Sequence, residues 1–97
     1  MAWLQVEVRP GAGVCGYTLF VDGLPVAMGE GHRGEVRCEG RCGDGSSHAL
    51  LYSFSGAPGA GLVIAVRCRE RELCRVEAAA IAEQGARAAA GRHLFDL

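Results

Sequence analysis

Lysine is absent from this 97-residue chain, and its ten basic residues are all arginine. Chemistry that needs a lysine amine, such as Schiff-base formation, is therefore excluded. The same sequence has fifteen glycines and abundant alanine. Residues encoded by GC-rich codons dominate, which indicates a bacterial origin.

Aromatic residues, net charge and long apolar runs are also scarce. Aromatic residues make up 6% of the chain and its net charge is −1, so neither base stacking nor a basic surface favours nucleic-acid binding. No apolar run reaches the 18 or so residues of a membrane span.

The start of the chain lacks the pattern of a signal peptide, in which a basic segment precedes an apolar one. We therefore expect a cytoplasmic protein without a signal peptide. If a signal peptide preceded this chain, the expectation becomes a periplasmic or secreted protein.

The five cysteines are many for this length, and an odd number cannot all pair within one chain. Without a signal peptide, reduced thiols packed as small apolar groups are the first expectation. One alternative is a zinc site, because C-x₃-C and C-x₅-C pairs could together supply four ligands. A disulfide between Cys68 and Cys74 across a hairpin is the other alternative. The four candidate zinc ligands are Cys38, Cys42, Cys68 and Cys74.

Alternating apolar and polar residues predict β-strands along most of the chain. Leu4, Val6 and Val8 share one face of a first strand, and Asp22-Gly23 predicts a tight hairpin turn. Pro25 in the returning segment 24–28 lacks a ladder donor and predicts a sheet edge. Glycine- and proline-rich turns about every ten residues are typical of a sandwich. We therefore predict one domain over residues 1–97, an all-β sandwich of six or seven short antiparallel strands within about 3–76.

The pattern changes after Val76, where residues 77–97 become alanine-rich. Glutamate early and arginine late in this segment suit a helix dipole, and Gly91 suits a helix end. We therefore predict a C-terminal α-helix followed by a tail, within about 77–97.

The sequence contains no motif that identifies an enzyme. Ser46, Ser47 and His48 are adjacent, but no nucleophile elbow surrounds them, and a catalytic triad is recognised in space rather than in sequence. We expect a non-catalytic protein-binding or assembly module without a cofactor, whose partner is another protein or a second copy. It would act through an edge strand or through the C-terminal helix and tail, with Leu94, Phe95 and Leu97 as interaction residues. The alternative is a small metal- or redox-responsive domain that uses the clustered cysteines.

Overall fold

Two antiparallel β-sheets form the protein in the computed structural model, which describes residues 1–78, 81–82 and 87–97. One apolar cluster draws side chains from both sheets, so the described chain is all-β and sandwich-like. A short 3₁₀ turn spans Glu30–His32, and no described helix has the length and apolar character needed to cross a membrane. The strands are β1 (Ala2–Pro10), β2 (Val14–Val21), β3 (Leu24–Pro25), β4 (Ala27–Met28), β5 (Arg33–Cys38), β6 (Ser47–Gly56), β7 (Leu62–Cys68), β8 (Arg71–Glu77) and β9 (Ala88–Asp96).

The two sheets have different strand orders. The five-stranded sheet runs β4-β5-β1-β7-β8, and the four-stranded sheet runs β3-β2-β6-β9. The predicted strand 24–28 is divided between them, because Leu24–Pro25 pairs with β2 and Ala27–Met28 pairs with β5. Pro25 does lie in an edge strand, as predicted.

The core follows the alternation of β1 and its neighbours. Leu4, Val6 and Val8 are buried as predicted, and they pack with Leu19 and Val21 from the opposite sheet. In β2 the inward face does not extend back to Cys15, which is exposed. A bulge between Val14 and Gly16 shifts the pairing with β6 and changes the phase of the strand at that point.

The Asp22-Gly23 hairpin turn is confirmed. Asp22 has φ of 49° and Gly23 has φ of 82°, and the flanking residues Val21 and Leu24 are paired. Positive φ at both central residues is the requirement of a type I′ turn, which explains the use of glycine at the second position.

The predicted C-terminal helix is wrong. Glu77 ends β8, and Ala88–Asp96 forms β9, which pairs with β6 over nine residue pairs; 79–80 and 83–86 of the predicted helix lie outside the described residues. Burial along β9 alternates with a period of two rather than 3.6. The ladder with β6 has overridden the helical preference of alanine.

The predicted Cys68–Cys74 disulfide is also wrong. A bulge between Val66 and Arg67 sets the β7–β8 register so that Cys68 pairs with Arg71 and Val66 pairs with Cys74. Cys74 has a free thiol, and Cys68 is bonded to Cys42 instead.

Candidate functional site

Strand β9 forms one edge of the four-stranded sheet, and its backbone orientation follows from the bonds at its two ends. Leu97 N donates to Ser46 O at 2.8 Å, and Gly56 N donates to Arg87 O at 3.0 Å. Bonding alternates along an antiparallel strand, so the odd-numbered residues bond toward β6. The even-numbered residues direct N–H and C=O away from the sheet. We call this row the β9 edge: Ala88, Ala90, Arg92, Leu94 and Asp96.

The three predicted interaction residues do not share one environment. Phe95 and Leu97 are buried in the protein's own core, and the Phe95 ring lies 5.8 Å from the His48 ring. Leu94 is 57% exposed. Of the three, Leu94 is therefore the residue that the fold leaves available for a partner.

Leu94 belongs to an apolar outer face on the four-stranded sheet. Ala49 pairs with Leu94 and Leu51 pairs with Arg92, which makes Leu51, 39% exposed, a diagonal neighbour of Leu94. Phe20 pairs with Leu51 from the other side and is half-buried. Along the paired strands of this sheet, Arg92 and Asp96 are the charged outward side chains among the described residues.

The outer face of the five-stranded sheet is very different. Trp3 is exposed there, and the Arg37 guanidinium lies 5.2 Å from the centre of its ring. Charged side chains otherwise dominate this face, as expected for a solvated sheet surface. They include Glu7, Arg9, Glu35, Arg67 and Arg75. The contrast identifies the four-stranded sheet as the less polar of the two surfaces.

A chain of polar side chains lies at one end of the molecule. His48 Nδ1 is 2.5 Å from Asp22 Oδ2, and His48 Nε2 is 2.9 Å from Ser46 Oγ. Ser46 Oγ donates to Asp44 Oδ1 at 2.6 Å, and Ala49 N donates to Asp22 Oδ1 at 2.9 Å. The type I′ turn supplies Asp22, the first residues of β6 supply His48 and Ala49, and the preceding glycine-rich loop supplies Asp44 and Ser46. We call Asp22, His48, Ser46 and Asp44 the polar chain.

Hydrogen bonding keeps both carboxylates of the polar chain ionised. Burial raises the pKa of Asp22, but hydrogen bonds from His48 and Ala49 outweigh it, and the pKa is lowered. The Ser46 hydroxyl and the backbone N–H groups of Arg41 and Ser46 lower the pKa of Asp44 to about 2.

In the polar chain Ser46 contacts His48 and His48 contacts Asp22, which is the spatial order of a catalytic triad. The serine hydroxyl, however, donates its proton to Asp44 rather than to the histidine. In a nucleophilic triad the hydroxyl donates to the imidazole. Here the ionised Asp44 is the nearer acceptor of the single Ser46 proton. His48 Nε2 therefore faces a hydroxyl whose proton is directed to Asp44, and His48 Nδ1 faces Asp22. The arrangement therefore connects the Asp22-Gly23 turn to the glycine-rich loop before β6, and it does not activate a nucleophile.

A surface depression of about 750 Å³ lies beside the polar chain, with Met1, Leu24 and Arg37 among its lining residues. The side-chain polar atoms of His48 and Asp22 that border it are already hydrogen-bonded to protein groups. These two side chains are therefore committed to the fold rather than free to orient a small ligand.

The four cysteines predicted as zinc ligands are not gathered at one place. Cys42 and Cys68 form a disulfide with Cα atoms 6.0 Å apart, a separation typical of such bridges. Cys38 is buried and Cys74 half-buried, both as free thiols. Among the described residues, no group of three or more histidine, cysteine or acidic side chains could hold a metal ion.

The remaining partly buried thiols are poor nucleophiles. Burial raises the pKa of Cys74 to about 11, and burial together with Asp22 and Asp44 raises that of Cys38. A thiol with a raised pKa holds little thiolate near neutral pH, so neither residue suits thiol chemistry.

Sequence reasoning missed the polar chain. Asp22 and His48 are 26 residues apart, and only the register of β2 with β6 brings them together. One local signal was available: Asp44 accepts from Ser46 two residues later, which is the Asx-turn habit of aspartate before a strand. Comparison with protein-family models, curated proteins and solved structures found no match to this chain.

Proposed function

We propose that this protein is a non-catalytic assembly module that accepts a β-strand from another polypeptide along the β9 edge. The observation that carries the proposal is the nine-residue strand at the border of a sheet, whose outward N–H and C=O groups have no backbone partner among the described residues. Such a row is a template for strand addition. The adjoining apolar face, with Leu51 and Leu94 exposed, adds side-chain contacts.

The other sheet edges are less suited to this role. Strands β3 and β4 have two residues each. Strand β8 has seven residues but carries Arg71, Glu72 and Arg75 along its length, and charged residues are a common protection of exposed edges. Strand β9 combines length with few charges, which favours it as the docking edge.

The test uses Leu94→Pro as an edge-blocking variant. Proline removes an N–H that points away from β6, so the ladder within the protein keeps its bonds, and edge strands tolerate such a change. Leu94→Ala is the matched control, because it removes the side chain but keeps the N–H donor. Circular dichroism and thermal unfolding check that both variants are folded.

We expect proteins retained on the immobilised wild-type chain and on Leu94→Ala to be lost on Leu94→Pro. In the purified complex, the amides of Arg92, Leu94 and Asp96 should exchange hydrogen more slowly than in the free chain. Unchanged exchange at all three amides in every complex, or capture that Leu94→Pro leaves intact, would refute the proposal.

The Cys42–Cys68 disulfide favours a second candidate, a redox-responsive domain. The bridge connects the glycine-rich loop before β6 to the end of β7, and such bridges persist in oxidising compartments. It therefore also supports a periplasmic or secreted location over the cytoplasmic expectation. If this candidate is correct, mild reduction changes hydrogen exchange in residues 39–46 before the strands unfold. Zinc binding stays a prediction, which elemental analysis of the native protein would test.

A further inference from the structure

We infer that the strand accepted by β9 is β9 of a second copy of this chain, in an antiparallel pair related by a two-fold axis at Leu94. The inference rests on the proposed function and names its partner. Two features of the β9 edge carry it: the row of outward backbone groups and the order of the side chains beside them.

Backbone geometry restricts the pairing to a few registers. In an antiparallel pair, residues whose N–H and C=O groups face the partner must lie opposite residues that do the same. Even-numbered residues of one copy therefore face even-numbered residues of the other. All of these even-numbered side chains are exposed on the outer face of the sheet.

Side-chain charge and the pairing of the exposed leucine distinguish three registers, whose axes lie at Arg92, His93 and Leu94. An axis at Arg92 would place that arginine directly opposite its own copy, and like charges directly opposite each other are destabilising. An axis at His93 would place Arg92 opposite Leu94 of the second copy. An axis at Leu94 places leucine opposite leucine and Arg92 opposite Asp96 of the second copy, twice by symmetry. Only the last of these three registers satisfies both charges and pairs the exposed leucines.

The same register joins the apolar faces of the two copies. Leu51 lies diagonally beside Leu94 within each sheet, so the pairing produces a row of four leucines across the axis. Leu94 and Leu51 are the exposed large apolar residues of β9 and β6. The overlap covers only 92–96, so we expect a reversible dimer whose population rises with concentration.

The first experiment measures solution mass by sedimentation velocity over a range of concentrations. Arg92→Asp and Asp96→Arg should each weaken dimerisation at least several-fold, because each places like charges opposite each other. The doubly substituted chain, Arg92→Asp with Asp96→Arg, should recover it. Arg71→Asp makes the same charge change on β8, an edge strand of the five-stranded sheet, and should have no effect.

The second experiment fixes the register by cross-linking in a Cys15→Ser background, which removes the exposed thiol. Leu94→Cys places two thiols at the axis and should form a disulfide-linked dimer under mild oxidation. Ala90→Cys is the control, because residue 90 lies four positions from the axis in each copy, which separates the two thiols by about 26 Å. Cross-linking by Arg92→Cys in preference to Leu94→Cys would overturn the register.

The outcomes separate this inference from the proposed function. The chain could remain monomeric at high concentration while Leu94→Pro still abolishes capture of a different protein. That result would overturn the inference that a second copy is the partner, but it would support strand addition at the β9 edge. A dimer that Leu94→Pro leaves intact overturns the second-copy inference, because that dimer forms elsewhere on the molecule.

Discussion

At the scale of single residues, His48 shows how a polar side chain is buried with its hydrogen bonds satisfied. It is 7% exposed, and both ring nitrogens have partners, in Asp22 and Ser46. A buried polar group that loses its partner costs about 1–3 kcal/mol, whereas replacing both partners with apolar groups can be nearly neutral. Asp22 thus accepts from two donors, the His48 ring and the Ala49 N–H, and only the first contact depends on His48.

We accordingly expect Asp22→Ala to lower the free energy of unfolding by about 1–3 kcal/mol, because Nδ1 of His48 is left without an acceptor. In a His48→Phe background the same substitution should cost clearly less. Urea unfolding of the four chains, followed by circular dichroism, gives the coupling between the two sites. Equal costs in both backgrounds would show that Asp22 acts independently of His48.

Asp44 and Asp22 also predict how stability depends on pH. Both have a lowered pKa in the folded protein, about 2 for Asp44, so the unfolded chain binds more protons as the solution is acidified. Their contribution is present above pH 4 or so and is lost as the pH falls toward 2. Urea unfolding at pH 7, 4 and 2.5 should show this decline, and Asp44→Asn should make it shallower. An identical pH profile for Asp44→Asn and wild type would contradict the role given to Asp44.

At the scale of elements, the strands that sequence predicted are those whose alternation is visible locally. The first strand was predicted because Leu4, Val6 and Val8 alternate with polar residues, and all three are buried. Strand β9 was missed because alanine and glycine occupy four of its nine positions, and they carry little information on which face is buried. The phase was still present in Phe95 and Leu97, two residues apart and both buried.

The candidate site was predictable only in part for the same reason. An edge strand and a C-terminal interaction region could be inferred, since both depend on local composition. The β6–β9 register decides which of Leu94 and Phe95 faces solvent. The same register decides that Arg92 lies opposite Leu51. Register is a non-local property, which the segment alone does not contain.

Gly91 gives a direct test of the strand assignment for this element. It pairs with Tyr52, and a Cβ at residue 91 would collide with the Tyr52 ring. Gly91→Ala should therefore destabilise the protein by about 1–3 kcal/mol through overpacking. Thermal unfolding measures this cost, and Tyr52→Leu should relieve it because the ring is its cause. At the helix end predicted for Gly91, Gly91→Ala would also destabilise, but Tyr52→Leu would leave that cost unchanged.

At the scale of the whole molecule, the Cys42–Cys68 disulfide joins parts that the chain connects only distantly. Cys68 ends β7 in the five-stranded sheet, and Cys42 lies in the loop that leads into β6 of the four-stranded sheet. The same loop carries Asp44 and Ser46 of the polar chain. The bridge and the polar chain therefore hold one loop against both sheets.

Removing this bridge should destabilise the entire fold. The two cysteines are 26 residues apart, and the loss of loop-closure entropy in the unfolded chain corresponds to about 3.5 kcal/mol. We expect urea unfolding to show a loss of this size on adding reductant, and a similar loss in Cys42→Ser with Cys68→Ser. Reductant should then have no further effect on that doubly substituted chain, and peptide mapping of the native protein should recover the 42–68 pair. Equal stability with and without reductant would show that the bridge contributes nothing to the fold, and a mapped Cys68–Cys74 bridge would show that Cys42 does not tether the loop.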